Sequence, residues 1–281
     1  MAKSSLLYRT LGAVLLVVAV FGCALLHPLC CAGMFAVALA LMTNEFYRMS
    51  MGSGTHTVAR VLALCLITGT FIVSFLINYL KLGLHCLLFA FPLLLAVLTA
   101  VLLDRQDRIE RLAAQDVCFP MVYLLPSFVI AQMLLFNRAG EYSPYLFLAV
   151  MVLVWMSDVG AYALGMAFGQ RENSRKLAPE ISPKKSWAGV AGGLLFTFAT
   201  AAVIYITGLF DLPLWKWVVA AIIVVVLGIL GDLFESLIKR HYALKDAGRI
   251  VIGHGGLLDR FDAAVFAIPA VTIFFIITEV I

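Results

Sequence analysis

Apolar residues along this chain fall in long unbroken runs separated by short polar stretches, without the strict alternation that marks a half-buried strand. A hydrocarbon core about 30 Å thick takes about 20 mostly apolar residues per helical crossing. Nine runs approach that length: 6–26, 29–43, 58–80, 83–103, 117–136, 145–168, 189–209, 214–237 and 261–281. The second is short, and the sixth holds an acid. Backbone N–H and C=O groups in lipid must be satisfied internally, and these runs lack the dyad period of a barrel. The pattern therefore predicts an all-α polytopic membrane protein of about nine transmembrane helices.

Composition agrees. Of 281 residues, 63% are hydrophobic and only 13% charged, with a mean hydropathy of +1.04. A soluble domain is roughly half apolar, so a soluble globule would leave much of this surface without cover. Disordered, fibrous, nucleic-acid-binding and small disulfide-stapled classes are excluded on the same grounds. Nine spans put the termini on opposite sides. With the N-terminus cytoplasmic, 17 of the 20 Lys and Arg residues fall on the cytoplasmic side, leaving Lys81, Arg138 and Lys216 opposite. The formal charge of +4 then describes a face that meets anionic lipid or an anionic substrate. The six cysteines lie in or beside apolar runs, where cysteine packs as a small hydrophobe.

Polar residues divide the chain near residue 140. Residues 1–140 hold five apolar spans with almost nothing chemical in them. Residues 141–281 hold acids inside spans and two long basic loops, about 170–188 and 238–260, and are the expected catalytic region. Asp158 sits well inside the sixth run, where a carboxylate costs about 2.5–3.5 kcal/mol on insertion scales. It either hydrogen-bonds Ser157 or Tyr162 or faces a polar cavity. Asp232, Glu235, Ser236 and Lys239 follow helical spacing and form one stripe at the cytoplasmic end of the eighth span. Beyond it, Gly253, Gly255 and Gly256 flank His254, so that backbone N–H groups can turn towards an anion. Asp259 and Asp262 then open the ninth span. Carboxylates at one depth with Lys and Arg between them suit a metal-bound polyphosphate.

The run Ser236-x-x-Lys239-Arg240-x4-Lys245-Asp246, continued by Gly253-His254-Gly255-Gly256-x-x-Asp259-Arg260-x-Asp262, closely resembles the signature of the phosphatidate cytidylyltransferase (CDP-diacylglycerol synthase) family. The stretches Gly231-Asp232-Leu233-Phe234-Glu235-Ser236, Lys176-Leu177-Ala178-Pro179, Ile181-Ser182-Pro183-Lys184-Lys185-Ser186-Trp187 and Trp155-x-x-Asp158-x-Gly160-Ala161 resemble further parts of that family. Three positions depart from its usual pattern: Ile252 for proline, Ser186 for threonine and Ala188 for glutamate. The resemblance implies an enzyme that joins CTP and phosphatidic acid to give CDP-diacylglycerol and pyrophosphate, with Mg²⁺ as cofactor and a second cation left open. It also implies a homodimer in a bacterial inner membrane, its active site facing the cytoplasm.

Resemblance and geometry together assign Asp232, Asp259 and Asp262 as metal ligands. Lys239, Arg240, Lys245 and Arg260 are the phosphate binders, with Asp246 beside them as a ligand for cytidine or metal or a partner for a neighbouring base. Asp158, Lys184, Lys185, Ser186, Ser236, His254, Gly255 and Gly256 are the expected substrate-binding residues. Lys184 and Lys185 also suit plain positive-inside anchors, and His254 a turn-holding role. A CTP-dependent lipid kinase shares most of these requirements. A proton-coupled transporter would keep the intramembrane acids but has little use for the glycine-rich loop.

Overall fold

The computed structural model describes residues 2–52, 57–103, 110–171, 174–244, 247–248 and 255–281. They are overwhelmingly helical, and they divide into two compact units. The first comprises Met1–Gln132, Ala139–Pro144 and Asp246–Arg260; the second comprises Met133–Arg138, Tyr145–Lys245 and Phe261–Ile281.

In the first unit, α1 (Ala2–Leu26), α2 (Pro28–Met51) and α3 (Thr57–Leu80) follow one another closely. Pro28 opens α2, where its missing N–H costs nothing, and the His27 side chain caps it by accepting the Leu29 N–H at 3.2 Å. A 3-10 segment, Leu84–Phe89, leads into α4 (Ala90–Leu103), then come α5 (Glu110–Tyr123) and the short α6 (Leu125–Ala131). Pro120 within α5 and Pro126 at the start of α6 break what would otherwise be one helix. Phe35, Phe71 and Phe128 make edge-on and tilted ring contacts at 5.9–6.2 Å, knitting α2, α3 and α6 together.

The second unit holds α7 (Tyr145–Phe168), α8 (Trp187–Ile206), α9 (Leu214–His241) and α10 (Leu258–Ile277) from Phe261 on. Between α7 and α8 lies an antiparallel hairpin, β1 (Lys176–Ala178) with β2 (Ser182–Ser186), pairing Lys176 with Ser186 and Ala178 with Ser182. Glycine sets the helix spacing. A Cβ on Gly160 would strike the Gly192 carbonyl, and one on Gly192 the Gly160 carbonyl, so α7 and α8 touch backbone to backbone. Gly231 on α9 is covered in the same way by the Asp262 carbonyl of α10. Outward-facing Leu195, Val203, Val226 and Leu230 are exposed, as expected of side chains that meet lipid.

Seven helical segments among the described residues are long and apolar enough to cross a membrane: Pro28–Met51, Thr57–Leu80, Gln115–Leu135, Tyr145–Phe168, Trp187–Ile206, Leu214–His241 and Leu258–Ile277. The expected runs 6–26 and 83–103 are the two outside this set. In the first, Val14–Leu26 forms a shorter apolar helical segment among the described residues. The second is divided between the 3-10 segment and the 14 residues of α4, about 21 Å of helix at 1.5 Å per residue. The all-α class holds with one short hairpin added between α7 and α8, and α2 is longer than its apolar run, continuing through Asn44, Glu45 and Arg48.

Candidate active site

A cavity of about 340 Å³ opens in the second unit between α7, α8, α9 and the hairpin. Ser157, Asp158 and Tyr162 reach it from α7, Lys184, Lys185 and Ser186 from β2, and Asp232 from α9. Val154, Val190, Val224, Val225 and Ala263 make the rest of its wall apolar. One end can thus take a charged group and the remainder hydrocarbon.

Local structure explains how these side chains arrive there. Ser186 ends β2 in extended conformation and caps α8, its Oγ accepting the Gly189 N–H at 3.2 Å. The cap fixes the two preceding lysines at the rim. Lys176 Nζ donates to the Gly169 carbonyl at 2.7 Å and to Gln170 Oε1 at 3.1 Å, tying the other strand to the end of α7. Gln170 Nε2 donates to the Lys184 carbonyl at 3.0 Å. Lys185 turns inward, its ammonium 2.7 Å from Asp232 Oδ2 and 3.3 Å from the Ile229 carbonyl. Lys184 remains exposed.

Asp232 also accepts the Ser236 hydroxyl at 3.4 Å. One turn on, Glu235 is fully buried and pairs with Lys239 at 3.2 Å. Asp262 accepts its neighbour Ala263's N–H at 2.7 Å and lies close to Glu235, Asp232 and Asp158. Asp158, Asp232, Glu235 and Asp262 are therefore gathered in one region of the second unit. Glu235 entered the expected stripe only by spacing; the structure makes it a buried ion-pair partner of Lys239, close to Asp262. Arg240 is exposed and donates to the Leu244 carbonyl at 3.2 Å.

The first unit holds the glycine-rich loop. Gly255 adopts φ +87°, a conformation that suits glycine. Asp259 Oδ2 accepts the N–H groups of Ala247 at 3.0 Å and Gly256 at 2.8 Å. Arg260 is exposed on the same first turn of α10. Glu45, on α2, is 1% exposed and accepts the Leu257 N–H at 2.9 Å and the Leu258 N–H at 2.8 Å. The expectation that the early spans carry almost nothing chemical is corrected here. The available signal was Asn44-Glu45, an acid placed directly after an apolar run with no neighbouring base at helical spacing other than Arg48. The expected residues Lys245, Asp246 and His254 lie outside the described residues.

Among the described residues, no three His, Cys, Asp or Glu side chains stand together as a complete ligand set for a metal. Mg²⁺ does not need one: it keeps several waters and is commonly bound through one or two carboxylates plus substrate phosphate oxygens. Asp232 and Asp262 are hard oxygen donors close to one another, and as a pair they fit such an ion. Asp259 retains acceptor capacity beyond the two N–H groups it binds, since a carboxylate has about four lone-pair sites.

Apolar helices enclosing a cleft with acids, bases and an apolar wall define an integral membrane protein with a polar site among its helices. Comparison with known proteins narrows the class. The model of the cytidylyltransferase family matches residues 7–278, and the chain belongs to that family. It is similar to the phosphatidate cytidylyltransferase of Staphylococcus saprophyticus, 42% identical over 147 residues, which are 52% of this chain and 55% of the relative. The Bacillus subtilis protein of the same name is 42% identical over 125 residues, 44% of this chain and 45% of the relative. That of Haemophilus influenzae is 42% identical over 136 residues, 47% and 46% respectively. The chain thus spans about half the length of the curated relatives it matches.

Proposed function

We propose that this protein transfers the cytidylyl group of CTP to phosphatidic acid, releasing pyrophosphate and leaving CDP-diacylglycerol. The observation that carries the reading is the cavity itself, whose lining brings Lys184, Lys185, Asp158 and Asp232 together with apolar side chains from the helices around it. Lysines beside apolar side chains suit a lipid phosphate, and the family of the chain and the printed names of its relatives support the reading.

The nucleophile is an oxygen of a phosphate monoester, whose second ionisation lies near pH 6 by analogy with phosphorylated side chains. It needs no strong base. Its difficulty is repulsion from the triphosphate, so positioning and charge stabilisation carry most of the barrier reduction. Lys185 neutralises the lipid phosphate, and Lys184 extends the positive charge at the rim. Lys239, Arg240, Lys245 and Arg260 are assigned to the remaining phosphate oxygens, and Ser157, Ser186 and Ser236 supply hydroxyls. Asp232 and Asp262 are assigned to Mg²⁺, with Asp259 the third candidate on α10. When bound, that ion supplies Lewis-acid charge to the phosphates. The P–O bond to the new lipid oxygen forms at the α-phosphorus as the bond to pyrophosphate breaks. The active site is assigned to the cytoplasmic side of a bacterial inner membrane, as the two basic loops suggest, and the homodimer implied by resemblance belongs to the same reading.

The test uses purified protein with CTP, Mg²⁺ and phosphatidic acid. Label at the α-phosphate should enter the lipid fraction, and γ-label should appear only in pyrophosphate. Transfer of γ-label to lipid with release of CDP would instead establish the kinase reaction.

A further inference from the structure

The N-terminus of α10 is satisfied by side chains from two places. A helix leaves its first N–H groups without intrahelical partners. Here Gly256 donates to Asp259, which reaches back from within the helix, while Leu257 and Leu258 donate to the two oxygens of Glu45, more than 200 positions earlier in the chain. The fit around Glu45 is close on every side. A Cβ at Gly248 would stand 2.5 Å from Glu45 Oε1, and one at Gly256 2.8 Å from Oε2. Two glycines of the loop therefore make room for this one carboxylate.

We propose that Glu45 is a positioning residue for the reaction: held in α2, it fixes the first turn of α10 and with it Asp259 and Arg260. This rests on the roles assigned to those two residues above. A membrane helix seldom carries an acid without use. The use here is geometric, because a carboxylate presents two equivalent acceptors to two adjacent N–H groups at a helix end whose dipole favours negative charge. Glutamine cannot do the same. Its carbonyl can accept one N–H, but its NH₂ then faces the other donor. Aspartate keeps both acceptors on a stem shorter by one methylene.

The experiment uses the full-length protein in detergent, with variants Glu45→Gln, Glu45→Asp, Glu45→Ala, Gly248→Ala and the double variant Glu45→Ala/Gly248→Ala. Two readouts are taken: backbone amide exchange over residues 255–260, and kcat and KM for CTP under saturating phosphatidic acid. Glu45→Gln should speed exchange at Leu257 and Leu258 and lower kcat about ten- to a hundredfold, the scale of a misplacement near 1 Å. KM for CTP should move far less, and Glu45→Asp should recover part of the loss. Gly248→Ala should reproduce the fall in kcat alone but add little in the Glu45→Ala background, because the group it collides with is gone.

Faster exchange with unchanged kcat in Glu45→Gln would overturn the positioning role. So would a full, additive penalty for Gly248→Ala in the Glu45→Ala background. Absence of any CDP-lipid from the wild type would remove the functional reading and the positioning role with it. Faster exchange in the variant would then identify Glu45 as a structural clamp only.

Discussion

Removing the Lys185 charge while keeping a polar side chain, one atom shorter, as in Lys185→Gln, separates two roles that its geometry permits. The ammonium lies 2.7 Å from Asp232 Oδ2, with both groups partly exposed to the cavity, at 18% and 38% of their side-chain surface. Exposed pairs contribute about 0.2–1 kcal/mol, and breaking a buried one costs about 3–5 kcal/mol. This half-open pair falls between, so the variant should fold. If Lys185 binds the lipid or nucleotide phosphate during turnover, its loss removes a charge-assisted hydrogen bond of about 1.5–3 kcal/mol. At about 1.4 kcal/mol per decade, kcat/KM should fall roughly ten- to a hundredfold or slightly more at every Mg²⁺ concentration. If Lys185 serves only as counter-ion to Asp232, its loss unmasks a carboxylate for the metal. The Mg²⁺ optimum should then shift lower, with kcat/KM preserved or raised when Mg²⁺ is scarce. The assay is CDP-lipid formation from labelled CTP across a Mg²⁺ titration. A variant that matches or exceeds the wild type at low Mg²⁺ would refute the phosphate-binding role.

Three further outcomes are expected. Asp232→Asn, Asp262→Asn and Asp259→Asn should each nearly abolish turnover with membrane insertion intact, whereas Asp211→Asn, an exposed acid outside the assigned set, should be near neutral; near-normal activity in any of the three across a Mg²⁺ titration removes that residue from the ligand set. Gly160→Ala and Gly192→Ala should each destabilise the protein by about 1–3 kcal/mol through overpacking of α7 on α8, read as earlier loss of the monodisperse detergent-solubilised species on heating; unchanged thermal behaviour would deny the backbone contact. Cysteine placed at Ala178 in a cysteine-free background should resist a membrane-impermeant reagent in intact cells and react after lysis, and ready labelling in intact cells would reverse the assigned orientation.

The class of fold was legible because continuous apolar runs have few physical solutions in a bilayer. Asp158 was legible for a related reason: an acid at mid-span is costly, and it does line a cavity. What the runs conceal is tertiary. The second run ends at Thr43 by hydropathy, yet α2 continues to Met51 and buries Glu45, whose carboxylate finds backbone donors from Leu257 and Leu258, and no local window contains both ends of that contact. The run 83–103 is apolar throughout, and hydropathy cannot distinguish its 3-10 opening from an α-helix. The hairpin at residues 176–186 shows no alternation to read; it depends on the Ser186 cap and on Lys176 reaching the end of α7.

The balance of groups in the second unit bears on why a divalent cation belongs to the proposed chemistry. Four carboxyls are gathered there, from Asp158, Asp232, Glu235 and Asp262. Two ammonium groups are paired directly with them, Lys185 with Asp232 and Lys239 with Glu235. A site meant to receive two phosphorylated substrates would ordinarily be expected to carry the opposite excess. Protonation can quieten a carboxyl, but it brings no positive charge to a phosphate. Asp232 and Asp262 would hold a divalent cation, which would supply the positive charge that protonation cannot, and Lys185 would then be open to a lipid phosphate. In the proposed reaction a phosphate that draws on Lys185 competes with Asp232 for it. Lys184, exposed in the lining of the same cavity, is the base that a lipid phosphate would meet without displacing a carboxylate, so the cost of drawing on Lys185 falls on its pair with Asp232.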